Sequence, residues 1–451
     1  MFDPLINFFR PAKPIPQIED PAKVDSLYRY WRIRMMYATL IGYALFYFTR
    51  TNLAFALPGI ESDLGISKAS LGLFLTLHGL LYGVSKFANG LLGDRANLRY
   101  FMAAGLLLSA IMNIGFGLSS LSILFGIFWL FNGWFQGMGF PPCARALTHW
   151  FSPNERGVKF SIWNTSHSVG AMLVALLCAW LATYNWRYVL LVPAGLAILG
   201  TVFLLNRLRD TPASLGLPPV EVYAGEEVSE EPAAEKDPSF KQFVKKNVFC
   251  NPYIWIVSVA NFFLYTVRYS ILNWLPTFLK ESRAVDLKHT GFFVFGVELA
   301  GVAGMLAFGW LTDRVFHGRA ARSCFFSMVF CTVCMLTFWR LDSHNMLINA
   351  ALLCGVGLFV YGPQALVGVI AANLATRRAA ATAIGVTGFF GYMSGIISGW
   401  GVGSLVKAGN WNPVFGMLTG CAAITAFLFA VAWNAYRPVA NNGKPRAIKT
   451  R

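Results

Sequence analysis

Arg50 and Arg268 each follow a tyrosine by three positions, in Tyr47-Phe-Thr-Arg50 and Tyr265-Thr-Val-Arg268, and stand 218 residues apart. Both lie in otherwise apolar runs. A guanidinium stays protonated when buried, and its planar fork donates paired hydrogen bonds to phosphate oxygens. Two such groups facing one another would repel when the space between them is empty, and a phosphate dianion would supply what they lack. Lys86 and Glu298 are the other charges well inside apolar runs, away from their ends, so three cations oppose a single one of the 21 acids. A charge at the centre of a bilayer costs about 2.5–3.5 kcal/mol on insertion scales, and such residues normally face a cavity and a partner. Either arginine alone could snorkel from a helix end or neutralise a structural carboxylate. It is the symmetric pair that points to a phosphate or phosphate ester as ligand. Lys86 can instead pair with Glu298 across the molecule, as a structural or gating ion pair.

Other polar residues are less decisive. His167, in Trp163-Asn164-Thr-Ser-His167, has Tyr392 as its mate in the second half, and a lone membrane histidine serves packing as readily as a ligand. Tyr43, Tyr47, Tyr361 and Tyr392 could hydrogen-bond the hydroxyls of an organic moiety or simply fill a bundle interior. His78 sits among apolar neighbours. Cys331 and Cys334 have CxxC spacing, but they stand in an apolar run without a second pair or a nearby histidine, which argues for a helix face over metal or redox chemistry. No P-loop, HExxH, GxSxG or paired catalytic carboxylates occur, so no metal, cofactor or enzymatic activity is expected.

The elements that must position these residues are membrane helices. Of the 451 residues, 56% are hydrophobic and only 13% charged, with a mean hydropathy of +0.53. A soluble domain carries about 25% charged residues. Apolar windows near residues 35–57, 71–92, 101–118, 123–147, 160–182 and 189–205, and again near 254–279, 292–311, 325–339, 347–374, 383–406 and 413–433, predict an all-α polytopic membrane protein with twelve transmembrane helices. Residues 1–206 form a first six-helix bundle with its N-terminal segment. Residues 207–248, rich in glutamate and proline, read as a solvated, partly disordered linker, and residues 249–451 form a second bundle and tail. The acids among the first 34 residues argue against a cleavable signal peptide.

The net charge of +16 would suggest nucleic acid in a soluble chain. Here 27 of the 37 Lys and Arg fall in the termini, the linker and the loops on their side, against seven in the opposite loops. That asymmetry predicts cytoplasmic termini in a bacterial inner membrane, the lipid bilayer as the surroundings, and no nucleic-acid partner. Gly391, Gly395, Gly399 and Gly403 make a small-residue face suited to close helix packing. Gly137, Gly139, Pro141 and Pro142 in span four, with Gly362 and Pro363 in span ten, predict breaks in regular helix.

The halves repeat. Gly90-Leu-Leu-Gly-Asp94-Arg95 and Gly309-Trp-Leu-Thr-Asp313-Arg314 occupy equivalent loops 219 residues apart, as expected of two pseudo-symmetric bundles. This doubled element resembles the major facilitator superfamily of secondary transporters. Within it, Tyr43 to Arg50, Tyr82 to Lys86, Gly133-Trp-Phe-Gln136 with its Gly/Pro continuation, Trp163 to His167, Tyr265 to Arg268 and Tyr361-Gly-Pro363 together resemble the organophosphate:phosphate antiporters, which exchange glycerol 3-phosphate or hexose 6-phosphate for inorganic phosphate. The resemblance implies that Arg50 and Arg268 bind the phosphoryl group with help from His167. It also implies that Lys86 and Glu298 take part in gating salt bridges, that Asp94, Arg95, Asp313 and Arg314 act in conformational change, and that Lys86, Asn164 and Tyr265 join the tyrosines as cavity candidates. The chain departs from that pattern at Thr51 and Asn273, where the family commonly has lysine and aspartate, so one gating pair is expected to be absent.

The expected activity is alternating-access exchange of an organophosphate for inorganic phosphate by a monomer without cofactors. The same group includes a sugar-phosphate sensor, so a receptor signalling to a membrane kinase partner is the alternative. A proton-coupled exporter ranks behind both, because Glu298 is the lone intramembrane acid.

Overall fold

The computed structural model describes residues 9–94, 96–225, 242, 244–341, 345–406 and 409–435, and among them every regular element is helical. The first half contains α1 (Pro21–Phe48), α2 (Leu53–Leu64), α3 (Lys68–Asp94), α4 (Leu98–Leu118), α5 (Ser122–Gln136), α6 (Phe140–Trp150), α7 (Pro153–Asn164), α8 (Ser166–Leu181) and α9 (Tyr188–Arg207). The short α10 (Val220–Tyr223) follows. The second half contains α11 (Pro252–Ser282), α12 (Leu287–Arg314), α13 (Ala320–Arg340), α14 (Met346–Met393), which carries the chain out of span ten into span eleven, then α15 (Val402–Leu405) and α16 (Asn412–Val431).

Ten helical stretches among the described residues are long and apolar enough to cross a bilayer. The first and eleventh predicted spans are the two others, and each is interrupted. The first breaks at residues 49–52 between α1 and α2; the eleventh passes through a π-helical turn, Ile396–Gly401. Span four also breaks, at residues 137–139 between α5 and α6, as its glycines and prolines predict.

Span ten does not break at Gly362 and Pro363, contrary to the sequence expectation. α14 runs through both. Proline at 363 cannot donate to the carbonyl of Phe359, and Ser327 Oγ of α13 donates to that carbonyl instead, at 2.7 Å. A neighbouring hydroxyl thus replaces the missing amide, which membrane helices permit.

The bundles meet at the end remote from the termini. Gly72, near the start of α3, packs directly on the backbone of Gly399, and Gly403 packs on the Lys68 carbonyl, so the glycine stripe of span eleven brings two backbones into contact across the bundle boundary. Thr76 Oγ1 donates to Gly395 O and accepts from Trp400 N, each at 2.8 Å. Lys68 Nζ lies 2.7 Å from Glu61 of its own bundle and 2.9 Å from Glu281 of the other, and Trp411 donates to the same Glu281.

The linker also differs from expectation in its first part. Leu208, Leu217 and Val220 are buried against the first bundle. Tyr28 donates to Pro218 O and stacks on Tyr223 at 4.0 Å. The Tyr223 hydroxyl donates to Asp25 at 2.6 Å and holds that carboxyl below the usual range. Aromatic residues at 28 and 223 make this stretch a docked strap, where glutamate content alone suggested solvation. Residues 226–241 lie outside the described part.

Candidate functional site

Arg50 owes its position to the helix break. When α1 ends at Phe48, the carbonyl of Phe46 keeps only a 3.3 Å bond from the Thr49 amide in place of its regular helical partner, and that of Thr49 lies in the break. Amide side chains from α4 and α5 take them over: Gln136 Nε2 donates to Phe46 O at 3.1 Å, Asn132 Nδ2 to Thr49 O at 2.8 Å and Asn113 Nδ2 to Thr49 O at 3.1 Å. Thr49 Oγ1 and Ser109 Oγ complete the network, which is fully buried. Buried backbone polar groups require such partners. Gln136 Oε1 then accepts from Arg50 Nε at 2.9 Å, and the guanidinium lies 4.6 Å from the Tyr47 ring centroid and 4.3 Å from that of Tyr82. The break aims the arginine inward, the amides fix it, and two aromatic faces hold its charge.

Arg268 reaches the same place from an unbroken helix. α11 starts on Pro252 with Asn251 as its cap and continues past the arginine. The Arg268 guanidinium lies 4.7 Å from the Tyr361 ring, 5.5 Å from Tyr269 and 5.9 Å from Tyr265. The two repeat-related arginines are therefore equivalent in position but not in local backbone. Both line one chamber of about 70 Å³, together with Tyr47, Thr51, His78, Tyr82, Tyr269, Asn273 and Tyr392. Arg50 Nη2 and Arg268 Nε are buried without a hydrogen-bond partner, and among the described residues no carboxylate lies within 4.0 Å of either guanidinium.

Lys86 and Glu298 are not paired, which corrects the sequence expectation for this conformation. Lys86 Nζ donates to the Tyr392 hydroxyl at 3.3 Å and sits 4.3 Å from the Phe140 ring. Glu298 accepts from the Tyr361 hydroxyl and is buried, with Oε2 unpartnered. Tyr361 thus links Glu298 to the ring face under Arg268. An aromatic partner on each side replaces the direct ion pair, and Lys86 crosses to the second bundle through Tyr392.

His167 follows the one-residue irregularity at Thr165. Its Nδ1 bonds to Asn164 O, its ring lies 5.9 Å from Tyr47, and Nε2 is buried without a partner. The Asn164 side chain is exposed, and Tyr43 packs among Tyr47, Phe140 and Trp163; neither lines the chamber. Tyr265 flanks both Arg268 and Tyr392. Asp313 and Arg314 are exposed at the end of α12. Asp94 ends α3, its side chain is outside the described part, and so is Arg95 altogether.

Four residues of the site were not singled out by spacing. Gln136 anchors Arg50, Tyr82 and Tyr269 cradle the two guanidiniums, and His78 stacks on Trp129 at 5.0 Å with Nδ1 bonded to Trp129 O and Nε2 unpartnered at the chamber. Tyr82 and Tyr269 have no tyrosine mate at the repeat offset, which places Gly301 and Thr51 opposite them, so the repeat does not single them out. Nothing distinguishes His78 from a packing histidine in the sequence. Among the described residues, no cluster of three or more His, Cys, Asp or Glu could hold a metal ion.

Residues 39–399 match the family described as Major Facilitator Superfamily. A probable hexose phosphate transport protein of Chlamydia pneumoniae is 41% identical over 442 residues, covering 95% of this chain and 97% of its own. The glycerol-3-phosphate transporter of Bacillus subtilis is 39% identical over 439 residues, with 95% and 98% covered. The membrane sensor protein UhpC of Salmonella typhimurium is 36% identical over 441 residues, with 96% and 99% covered. Among solved structures, a bacterial homolog to the human lysosomal transporter Spinster, in an inward-facing and unoccupied conformation, superposes with a TM-score of 0.75 at 14% identity, over 90% of this chain and 98% of that one.

Proposed function

The chain belongs to the Major Facilitator Superfamily, and from that premise we propose that it exchanges a phosphorylated organic metabolite, a hexose phosphate or glycerol 3-phosphate, for inorganic phosphate. The observation that carries this reading is the chamber with one guanidinium from each bundle, a buried nitrogen without a partner on each, and, among the described residues, no carboxylate within 4.0 Å of either. Gln136 occupies Arg50 Nε and leaves the terminal nitrogens for a ligand.

A phosphoryl group bound there touches both bundles at once. It removes the repulsion between the guanidiniums, and its charge falls between groups whose separation changes when the bundles rock. Return of the empty carrier is slow because the two cations must then approach unscreened, so exchange is coupled. Tyr361 flanks Arg268 and Tyr392 lines the chamber; Lys86 and His167, which contact Tyr392 and Tyr47 rather than the arginines, would serve as secondary polar contacts. With cytoplasmic termini, the sealed end is the outer face and the chamber is poised towards the cytoplasm.

Labelled-phosphate counterflow in proteoliposomes tests the proposal. Wild-type protein loaded with phosphate takes up label, and Arg50→Lys, which keeps the charge and loses the fork, reduces that uptake by about 10- to 100-fold. Wild-type uptake in the lysine variant would overturn the bidentate site. The similarity to a membrane sensor supports a second reading, a receptor for a sugar phosphate that signals to a partner kinase. The same assay separates the two, since a receptor binds phosphate esters without flux.

A further inference from the structure

A groove lies on the outside of the first bundle, at the end that carries the termini. Arg29, Arg32, Ile33, Met36 and Leu40 of α1 recur at steps of three and four and so share one helix face. Along that face the chemistry changes once: the first turn is basic and the next two are apolar. From Arg29 to Leu40 the helix rises about 16 Å, close to half of the roughly 30 Å hydrocarbon core of a bilayer. The face floors a groove of about 480 Å³ whose wall is Phe151 and Lys159.

The charges gather in one corner. The Phe151 ring lies 5.1 Å from the Arg32 guanidinium and 5.5 Å from Lys159 Nζ, so one aromatic ring neighbours two cations. Arg32 is bonded to Glu155, and Arg29 pairs with Asp25 at 2.9 Å with 76% of its side chain exposed. Among the described residues Lys159 has no carboxylate within 4.0 Å. Among the described residues that meet there, three cations and the two carboxylates bonded to them leave one positive charge at the head of the groove. At its apolar part Ile33 is 68% exposed, a large aliphatic side chain with no protein over it.

We propose that this groove seats one anionic phospholipid of the leaflet on the termini side. Its headgroup phosphate meets Lys159 and Arg29, and one acyl chain lies along Ile33, Met36 and Leu40. Basic corners at the helix ends on the cytoplasmic side suit anionic headgroups. A free phosphate would leave the apolar two turns uncovered, and a zwitterionic lipid would bring its ammonium into the corner that already holds the surplus cation. The site is separate from the central chamber and does not depend on the transport reading.

Native mass spectrometry of the delipidated full-length protein, titrated with phosphatidylglycerol or phosphatidylcholine of equal chain length, tests the site. Wild type retains phosphatidylglycerol in preference. The Arg29→Gln/Lys159→Gln protein loses that preference by about fivefold or more, and Lys159→Arg keeps it. Ile33→Glu, which leaves all three cations in place and puts an acid among the acyl-chain contacts, also loses it, so the proposal stays testable if the double variant fails to fold. Equal retention of both lipids by wild type would overturn the proposal. So would undiminished phosphatidylglycerol preference in the Gln/Gln or the Glu variant.

Discussion

A single glutamine decides how Arg50 meets a ligand. Gln136 is fully buried, shares its two amide hydrogens among Phe46 O, Thr49 Oγ1 and Ser109 Oγ, and keeps its carbonyl for the arginine. Gln136→Ala leaves the guanidinium charged but unanchored, so phosphate affinity measured by calorimetry falls about tenfold, and thermal unfolding registers about 1–3 kcal/mol for the orphaned partners. His78 sits differently, stacked on Trp129 with one nitrogen free at the chamber. His78→Phe keeps the stack, so phosphate self-exchange is unchanged, whereas competition by a hexose phosphate weakens several-fold if that nitrogen reads an organic hydroxyl. The arginines were legible in the sequence because a charge in an apolar run has few structural uses. Gln136 and His78 were not, since a neutral polar side chain in a span has the same spacing whether it lines a cavity or packs.

Helix interruptions in this fold are held open by side chains from neighbouring helices. The break at 49–52 contains neither glycine nor proline and depends on Asn113, Asn132 and Gln136, from two other helices. Asn132→Ala is expected to cost about 1–3 kcal/mol and to lower the unfolding temperature. Phosphate binding should fall with it, because Arg50 leaves its aim when the break closes. Span ten shows the converse. Pro363 is a strong breaker by sequence, yet Ser327 caps the carbonyl it abandons, and Ser327→Ala should destabilise by about 1 kcal/mol without affecting transport. The count and order of the spans were readable from hydropathy. Of the breaks, the one in span four was readable from its glycines and prolines; the one at 49–52 was not, because it is stable only where other helices supply the missing hydrogen bonds. The doubled Asp-Arg loops and the paired arginines show the same limit: the repeat gave the symmetry, while the broken α1 and the unbroken α11 show that local backbone need not follow it.

The whole molecule is sealed at the end remote from its termini by glycine contacts and by Lys68, which joins Glu61 and Glu281 across the bundles. Gly399→Leu places a side chain where Gly72 and Thr76 already stand, so this end should open. Cysteines introduced there would then label several-fold faster with a membrane-impermeant thiol reagent, and Lys68→Gln should act in the same direction more weakly. The chamber beneath that seal is where the two halves share a ligand. Phosphate binding to wild type, Arg50→Gln, Arg268→Gln and the double variant tests this sharing most directly. If one anion is held jointly, each single substitution removes most of the binding energy and the double loses little more than either, a strongly non-additive cycle. Wild-type affinity in either single variant, or losses that simply add, would contradict a site shared by the two bundles.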